Sequence, residues 1–182
     1  MKKFFVALVL LGALIRTGGF AQPVSGALEI SLVYTRQGGF GSNQFAVWIT
    51  DARGNYVKTL YATRFTASGG YSKRPQSIPT WVEQSGLARM SRAQVDAFTG
   101  ATPPAGALVY RWDGTDHTGA ALPRGEYRVY VEGSLRNETR VLYSASVQWG
   151  SPARPVELQP RYFGNDTRAR NMISAVKVSF IP

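Results

Sequence analysis

The chain has 182 residues, with 21 Lys and Arg against 11 Asp and Glu, a formal net charge of +10, one histidine and no cysteine. The missing cysteine excludes disulfides, thiolate nucleophiles and thiolate metal sites, so packing alone must hold the fold. The single histidine, His117, excludes His-cluster zinc sites and leaves any Ser-His-Asp arrangement with one candidate base, in a turn-like sequence.

Met1, Lys2 and Lys3 precede an uncharged apolar run from Phe4 to Ile15, the n-region and h-region of a secretory signal. The run is too short for a transmembrane helix, which needs roughly 20 apolar residues. Arg16, Thr17, Gly18 and Gly19 end it, and Gly19-Phe20-Ala21 supplies small residues for a signal peptidase. Residues 1–21 are therefore expected to be a signal peptide cleaved after Ala21. Residues 22–182 are expected to form one domain in the periplasm or outside the cell, without a transmembrane anchor after processing. Cleavage removes Lys2, Lys3 and Arg16 and no acid, so the remaining chain stays basic. There is no long Lys/Arg run, and nothing in the pattern points to a nucleic-acid module.

Along the rest of the chain, residues 27–36 alternate Leu28, Ile30, Leu32 and Tyr34 against Glu29, Ser31 and Val33, a period-two strand. The turn Gly38-Gly39-Phe40-Gly41 follows. Residues 44–50 and 56–63 read as a hairpin joined by Asp51-Ala52-Arg53-Gly54-Asn55. Residues 66–79 are rich in glycine, serine and proline and read as a loop. Short helices are expected over 81–87 and 91–98, the second with Ser91 as N-cap. Strand patterns return at 108–112, 126–133, 140–149 and 171–181, with Val176 out of phase in the last, and 152–160 holds a proline-marked edge strand. The fold class predicted is all-β: an antiparallel, immunoglobulin-like β-sandwich with a short helical insertion around residues 80–99, a barrel being the competing architecture.

Trp112-Asp113-Gly114-Thr115-Asp116-His117-Thr118-Gly119 continues through Pro123, Gly125 and Tyr127 into a Tyr-Arg-Val-Tyr-Val strand. Glycines supply positive φ, Asp113 and Asp116 bond backbone amides, and Pro123 presets φ. This W-D-G-x-D pattern resembles the hairpin of bacterial immunoglobulin-like domains such as those of flagellar hook-capping proteins. The Asp spacing lacks the terminal bidentate Glu of an EF-hand, so no metal ligand is assigned. No catalytic residue is assigned either.

A wider series comprises Phe45-Ala46-Val47-Trp48-Ile49-Thr50-Asp51, Gly54, Val57-Lys58-Thr59-Leu60, Trp81, residues 96–106 and Tyr110-Arg111-Trp112-Asp113-Gly114. It resembles the DUF2271 family of predicted periplasmic proteins, which implies an exported β-rich domain.

Asp96-Ala97-Phe98-Thr99-Gly100-Ala101-Thr102 fits D-x-x-[ST]-G-A-[ST] and resembles the acceptor motif for covalent flavin attachment in extracytoplasmic FMN-bearing proteins. The resemblance implies that a separate flavin transferase joins the phosphate of FMN to the Thr102 hydroxyl. Gly100 and Ala101 would let the backbone enter that enzyme's site beside Thr99, and Asp96 would orient the hydroxyl or bind the transferase. The competing reading is structural: a helix ending at Thr99-Gly100 with Gly100 as its C-cap, then a loop stiffened by Pro103 and Pro104. Of the four tryptophans, Trp48 and Trp112 lie in strand patterns and are expected in the core, and Trp81 is the candidate to stack on a flavin. The functional expectation is an exported accessory protein that is not an independent enzyme. It would carry FMN on Thr102 and serve electron transfer with a membrane electron-transfer partner. The alternative is a non-catalytic immunoglobulin-like binding or assembly module of the cell envelope.

Overall fold

Alternation in the first strand segment produces β1 (Ala27–Tyr34), whose Leu28, Ile30, Leu32 and Tyr34 are all buried while Val33 and the polar residues between them face outward. The computed structural model describes residues 25–38, 42–135, 139–152, 154–165 and 167–182. The signal segment 1–21 and residues 39–41 of the glycine turn lie outside those residues. β2 (Gln44–Asp51) and β3 (Tyr56–Thr63) form the expected antiparallel hairpin, with irregularities in register between Val47 and Trp48 and between Ile49 and Thr50. β5 (Gly106–Trp112), β6 (Gly125–Ser134), β7 (Arg140–Trp149) and β10 (Ile173–Ile181) follow at the expected places. The proline-marked stretch holds two short strands, β8 (Val156–Glu157) and β9 (Pro160–Phe163).

These strands make an all-β sandwich of two sheets. One has four strands in the order β5-β1-β10-β8; the other has six, in the order β4-β3-β2-β6-β7-β9, where β4 is the two-residue strand Thr99–Gly100. The six-stranded sheet is the middle layer of the molecule. Phe45, Val47 and Ile49 of β2 face the four-stranded sheet, and Ala46 and Trp48 face a helical cap on the other side. Burial on both faces explains why β2 reads as a nearly unbroken apolar run instead of alternating.

The cap is larger than the insertion expected around residues 80–99. It begins directly after β3 with α1 (Arg64–Ala67) and includes a 3-10 turn at Gly70–Ser72, so the stretch expected to be a loop over 66–79 is partly helical. α2 (Pro79–Ser85) and α3 (Arg92–Asp96) complete it. Trp48 joins cap to sheet: its ring stacks on Tyr130 at 4.9 Å, and its Nε1 donates to Gln84 Oε1 at 2.9 Å. Among the described residues no helix is long and apolar enough to cross a membrane.

The phase break at Val176 is a β-bulge. Ser31 pairs with Lys177 and Val33 with Ser174, so Ala175 and Val176 together face Leu32, with Ala175 at φ 50°. At the far corner Trp112 packs 5.1 Å from Trp149, and Gly114 (φ +76°) lies so close to Trp149 that a Cβ there would overlap the indole. That contact, together with the positive φ, requires glycine in the W-D-G turn.

Candidate functional site

The motif begins on α3. Ser91 accepts the Gln94 N–H at 3.3 Å and donates its own N–H to Gln94 Oε1 at 2.8 Å, a complete capping box. The helix ends at Asp96, and the backbone then straightens: Thr99 and Gly100 pair in parallel with Ala62 and Thr63 at the edge of the six-stranded sheet. This corrects the expectation of a helix ending at Thr99-Gly100, since Gly100 is in an extended strand and is not a left-handed C-cap. Residues 101–105 then cross to the other sheet, where Gly106 pairs with Tyr34 of β1. Asp96, Ala101 and Thr102 are exposed, and Thr99 and Gly100 are half-buried. Asp96 makes a surface ion pair with Arg92 at 3.6 Å. The motif thus straddles a helix end, an edge strand and an inter-sheet loop, with the Thr102 side of the loop open to solvent.

Beneath the loop lies an aromatic cluster that the sequence pattern alone did not single out. Tyr61 Oη donates to the Ala101 carbonyl at 2.7 Å, pinning the loop one residue before Thr102. The Tyr61 ring lies 5.3 Å from Tyr110 and 4.9 Å from Phe45, and Phe45 lies 5.3 Å from Tyr34. A Cβ on Gly100 would come within 2.7 Å of the Tyr61 ring, so the motif glycine is also a packing requirement of this chain. Burial pushes the Tyr61 phenol up to about 12 and also raises that of Tyr110, so both stay neutral at any physiological pH. The Tyr34 hydroxyl is buried and has no hydrogen-bond partner among the described residues.

Trp81 sits elsewhere than a stacking role needs. It is fully buried under the cap, its Nε1 donates to Thr59 Oγ1 at 2.9 Å, and its ring meets Phe98 edge-on at 5.9 Å. No face is left for a flavin at the surface. Its contact with the motif is through Phe98, which it supports from inside.

Two carboxylate sites complete the polar chemistry. Glu132 on β6 is fully buried and accepts the Trp81 N–H at 3.0 Å, the Thr80 hydroxyl at 2.9 Å and Arg140 Nη1 at 2.7 Å. Burial pushes its carboxyl above the ordinary value, against the opposing bonds from Trp81, Arg140 and Thr80. The Arg140 guanidinium also lies over the Phe163 ring at 3.7 Å. Every Glu132 contact is internal, so the group anchors α2 to the sheet. In the hairpin, Asp116 Oδ1 accepts from the Thr118 hydroxyl at 2.7 Å, the Thr118 N–H at 2.8 Å and the Ala120 N–H at 3.0 Å, which holds its carboxyl below the ordinary range. Asp113 accepts from Thr115 and pairs with Lys58 at 3.3 Å. Both aspartates are turn formers, as their spacing implied. His117 packs 5.9 Å from Tyr56, and its N–H is bound to the Val57 carbonyl at 3.0 Å.

Residues 27–164 match a family model described as predicted periplasmic protein (DUF2271). No curated protein and no solved structure matches the chain.

Proposed function

The chain belongs to the DUF2271 family of predicted periplasmic proteins, and we propose that it is a periplasmic carrier of covalently held FMN, with Thr102 as the attachment residue. One observation carries this reading: the acceptor-like heptapeptide ends on an exposed threonine in a loop that leaves the sheet edge, is pinned by Tyr61 and is stiffened by Pro103 and Pro104. A neutral hydroxyl in that position is accessible to a separate enzyme, whereas a buried one is not. The flavin phosphate arrives activated, as a flavin dinucleotide. Its P–O–P bridge breaks as the Thr102 Oγ–P bond forms, the nucleoside monophosphate leaves, and the threonine proton is released. Asp96, Thr99, Gly100 and Ala101 give the transferase its recognition segment, and a membrane electron-transfer protein is the partner class that exchanges electrons with the bound flavin. Covalent attachment suits the compartment, because a freely dissociating cofactor would be diluted away outside the cytoplasm.

Arg64 follows directly on Thr63, which pairs with Gly100, and it is an exposed cation that could meet the phosphate; with Arg92 and Asp96 it lines a groove of about 580 Å³ that includes the first residue of the motif and not Thr102. FMN would bring reversible hydride or single-electron chemistry; the chain itself holds and orients it. Co-expression with a flavin transferase should add the mass of one FMN less water to the mature protein. An unmodified mass, or labelling that persists in Thr102→Ala, would exclude Thr102 as the carrier.

A second reading is favoured by the outer edge of β5, a seven-residue strand next to the same loop that has no neighbour on that side among the described residues: a binding or assembly module of the envelope. Recovery of a specific envelope partner equally by the wild type and by Thr102→Ala, with no flavin adduct, would favour it.

A further inference from the structure

Resting on the reading that Thr102 carries FMN, we infer that the Tyr61–Tyr110 pair beneath the loop is the platform on which the isoalloxazine ring is held against this chain. The two rings come from different sheets: Tyr61 from β3 and Tyr110 from β5. They meet 5.3 Å apart at the side of the sandwich where residues 101–105 cross from one sheet to the other. Tyrosines that only fill the core of this molecule are almost wholly covered, as Tyr143 and Tyr127 are at 3% and 6% exposure. Tyr61 and Tyr110 are instead only partly buried, and Tyr61 reaches the loop one residue before Thr102.

The platform is stiff. Phe45 backs both rings, at 4.9 Å from Tyr61 and 6.4 Å from Tyr110, and the Tyr61 hydroxyl is tied to Ala101. A ribityl phosphate leaving Thr102 need only fold back over the preceding residue to lay its ring there, and a flat π-system on a pre-ordered aromatic pair loses little further freedom. Exposed arginines stand near both ends of the crossing: Arg64 after the Gly100 partner Thr63, and Arg36 two residues past the Gly106 partner Tyr34. They supply positive charge for the phosphodiester. The competing slot between Tyr56, Met90, Phe98 and His117 has a volume of about 110 Å³, well below the roughly 300 Å³ of sites that enclose a drug-sized ligand.

Fluorescence lifetime tests this on the full mature protein after co-expression with the transferase. An excited isoalloxazine in contact with a phenol takes one electron from it, and the pair recombines without net chemistry, so emission is quenched. The bound flavin should have a lifetime several-fold shorter than free FMN. Tyr61→Phe and Tyr110→Phe should each lengthen it, and the double variant should restore most of it, because phenylalanine keeps the packing but does not donate. Tyr162→Phe, on β9 at the opposite edge of the six-stranded sheet, should leave it unchanged. A free-FMN lifetime in the wild type, or a short lifetime indifferent to the double substitution, overturns the platform. Intact mass on the same samples separates the two levels: no adduct overturns the Thr102 reading itself, whereas an adduct with unquenched emission overturns only the tyrosine assignment.

Discussion

Two regions of the same six-stranded sheet treat polar groups in opposite ways. At the Glu132 clamp, a carboxyl buried in β6 meets Trp81, Thr80 and Arg140 and leaves nothing for an outside ligand. At the β4 edge, the chain leaves the sheet after two residues and presents an exposed threonine, one residue past the Ala101 carbonyl that Tyr61 holds. The first arrangement has the internal satisfaction expected of a structural group, and the second has the open valences expected of a site on which something else acts. The most densely bonded acid secures the cap, whereas the proposed acceptor, Thr102, is an exposed loop residue.

Breaking the clamp should have the largest effect. Glu132→Ala leaves Arg140 beside an empty, buried acceptor position and strands the Trp81 N–H, and removal of one member of such a buried pair costs about 3–5 kcal/mol. Urea denaturation should show the loss, and a change under about 1 kcal/mol would mean that the cap is held by Trp48 and Trp81 packing alone. The pH dependence follows from the sign of the shift. Burial holds the folded-state carboxyl above its unfolded value, so its contribution is full below the ordinary carboxylate range and declines as pH rises through the folded pKa. Glu132→Gln, which does not ionise, should flatten that part of the stability curve.

The acceptor edge is sharpened by a smaller perturbation. Gly100→Val places a branched side chain against the Tyr61 ring, which is held in place by Phe45, Tyr110 and its bond to Ala101. Overpacking of this kind costs about 1–3 kcal/mol. It should also alter the near-ultraviolet circular dichroism of the tyrosine cluster. Unchanged stability and spectrum would mean that the loop detaches from Tyr61 easily, and the platform would then lose its stiffness.

What was legible in the sequence follows the same divide. Period-two alternation located β1 and, with its phase break, β10; strand-type residue runs located β6 and β7, and turn chemistry located the Asp51–Asn55 and Asp113–Gly125 reversals, because those signals are local. Ser91 as N-cap was legible for the same reason, its partner Gln94 being three residues away. The position of Gly100 was not. Thr99 and Gly100 become a strand only because Ala62 and Thr63, distant in sequence, offer an unpaired edge. Tyr61 and Tyr110 likewise meet only after the two sheets have closed. Trp81 was misread because proximity in sequence to a polar loop says nothing of depth under a cap, and the Glu132 clamp was not legible because its partners Thr80, Trp81 and Arg140 meet it only in the folded chain.

The smallest expected effect bears most directly on the contrast between the two regions. Thr102→Ala removes a hydroxyl from an exposed loop whose fixed points, the Ala101 carbonyl and the β4 pairing, are main-chain groups that the substitution does not touch. Its unfolding free energy should stay within about 0.5 kcal/mol of wild type, as is usual for a surface change away from caps and buried partners, while flavin incorporation disappears. Such a separation is what an acceptor residue requires and a structural residue does not produce, since a structural threonine loses stability with its side chain. Should Thr102→Ala instead destabilise the fold by an amount comparable to Gly100→Val, the loop would belong with the Glu132 clamp as part of the scaffold, and the open hydroxyl would lose its claim to be a site.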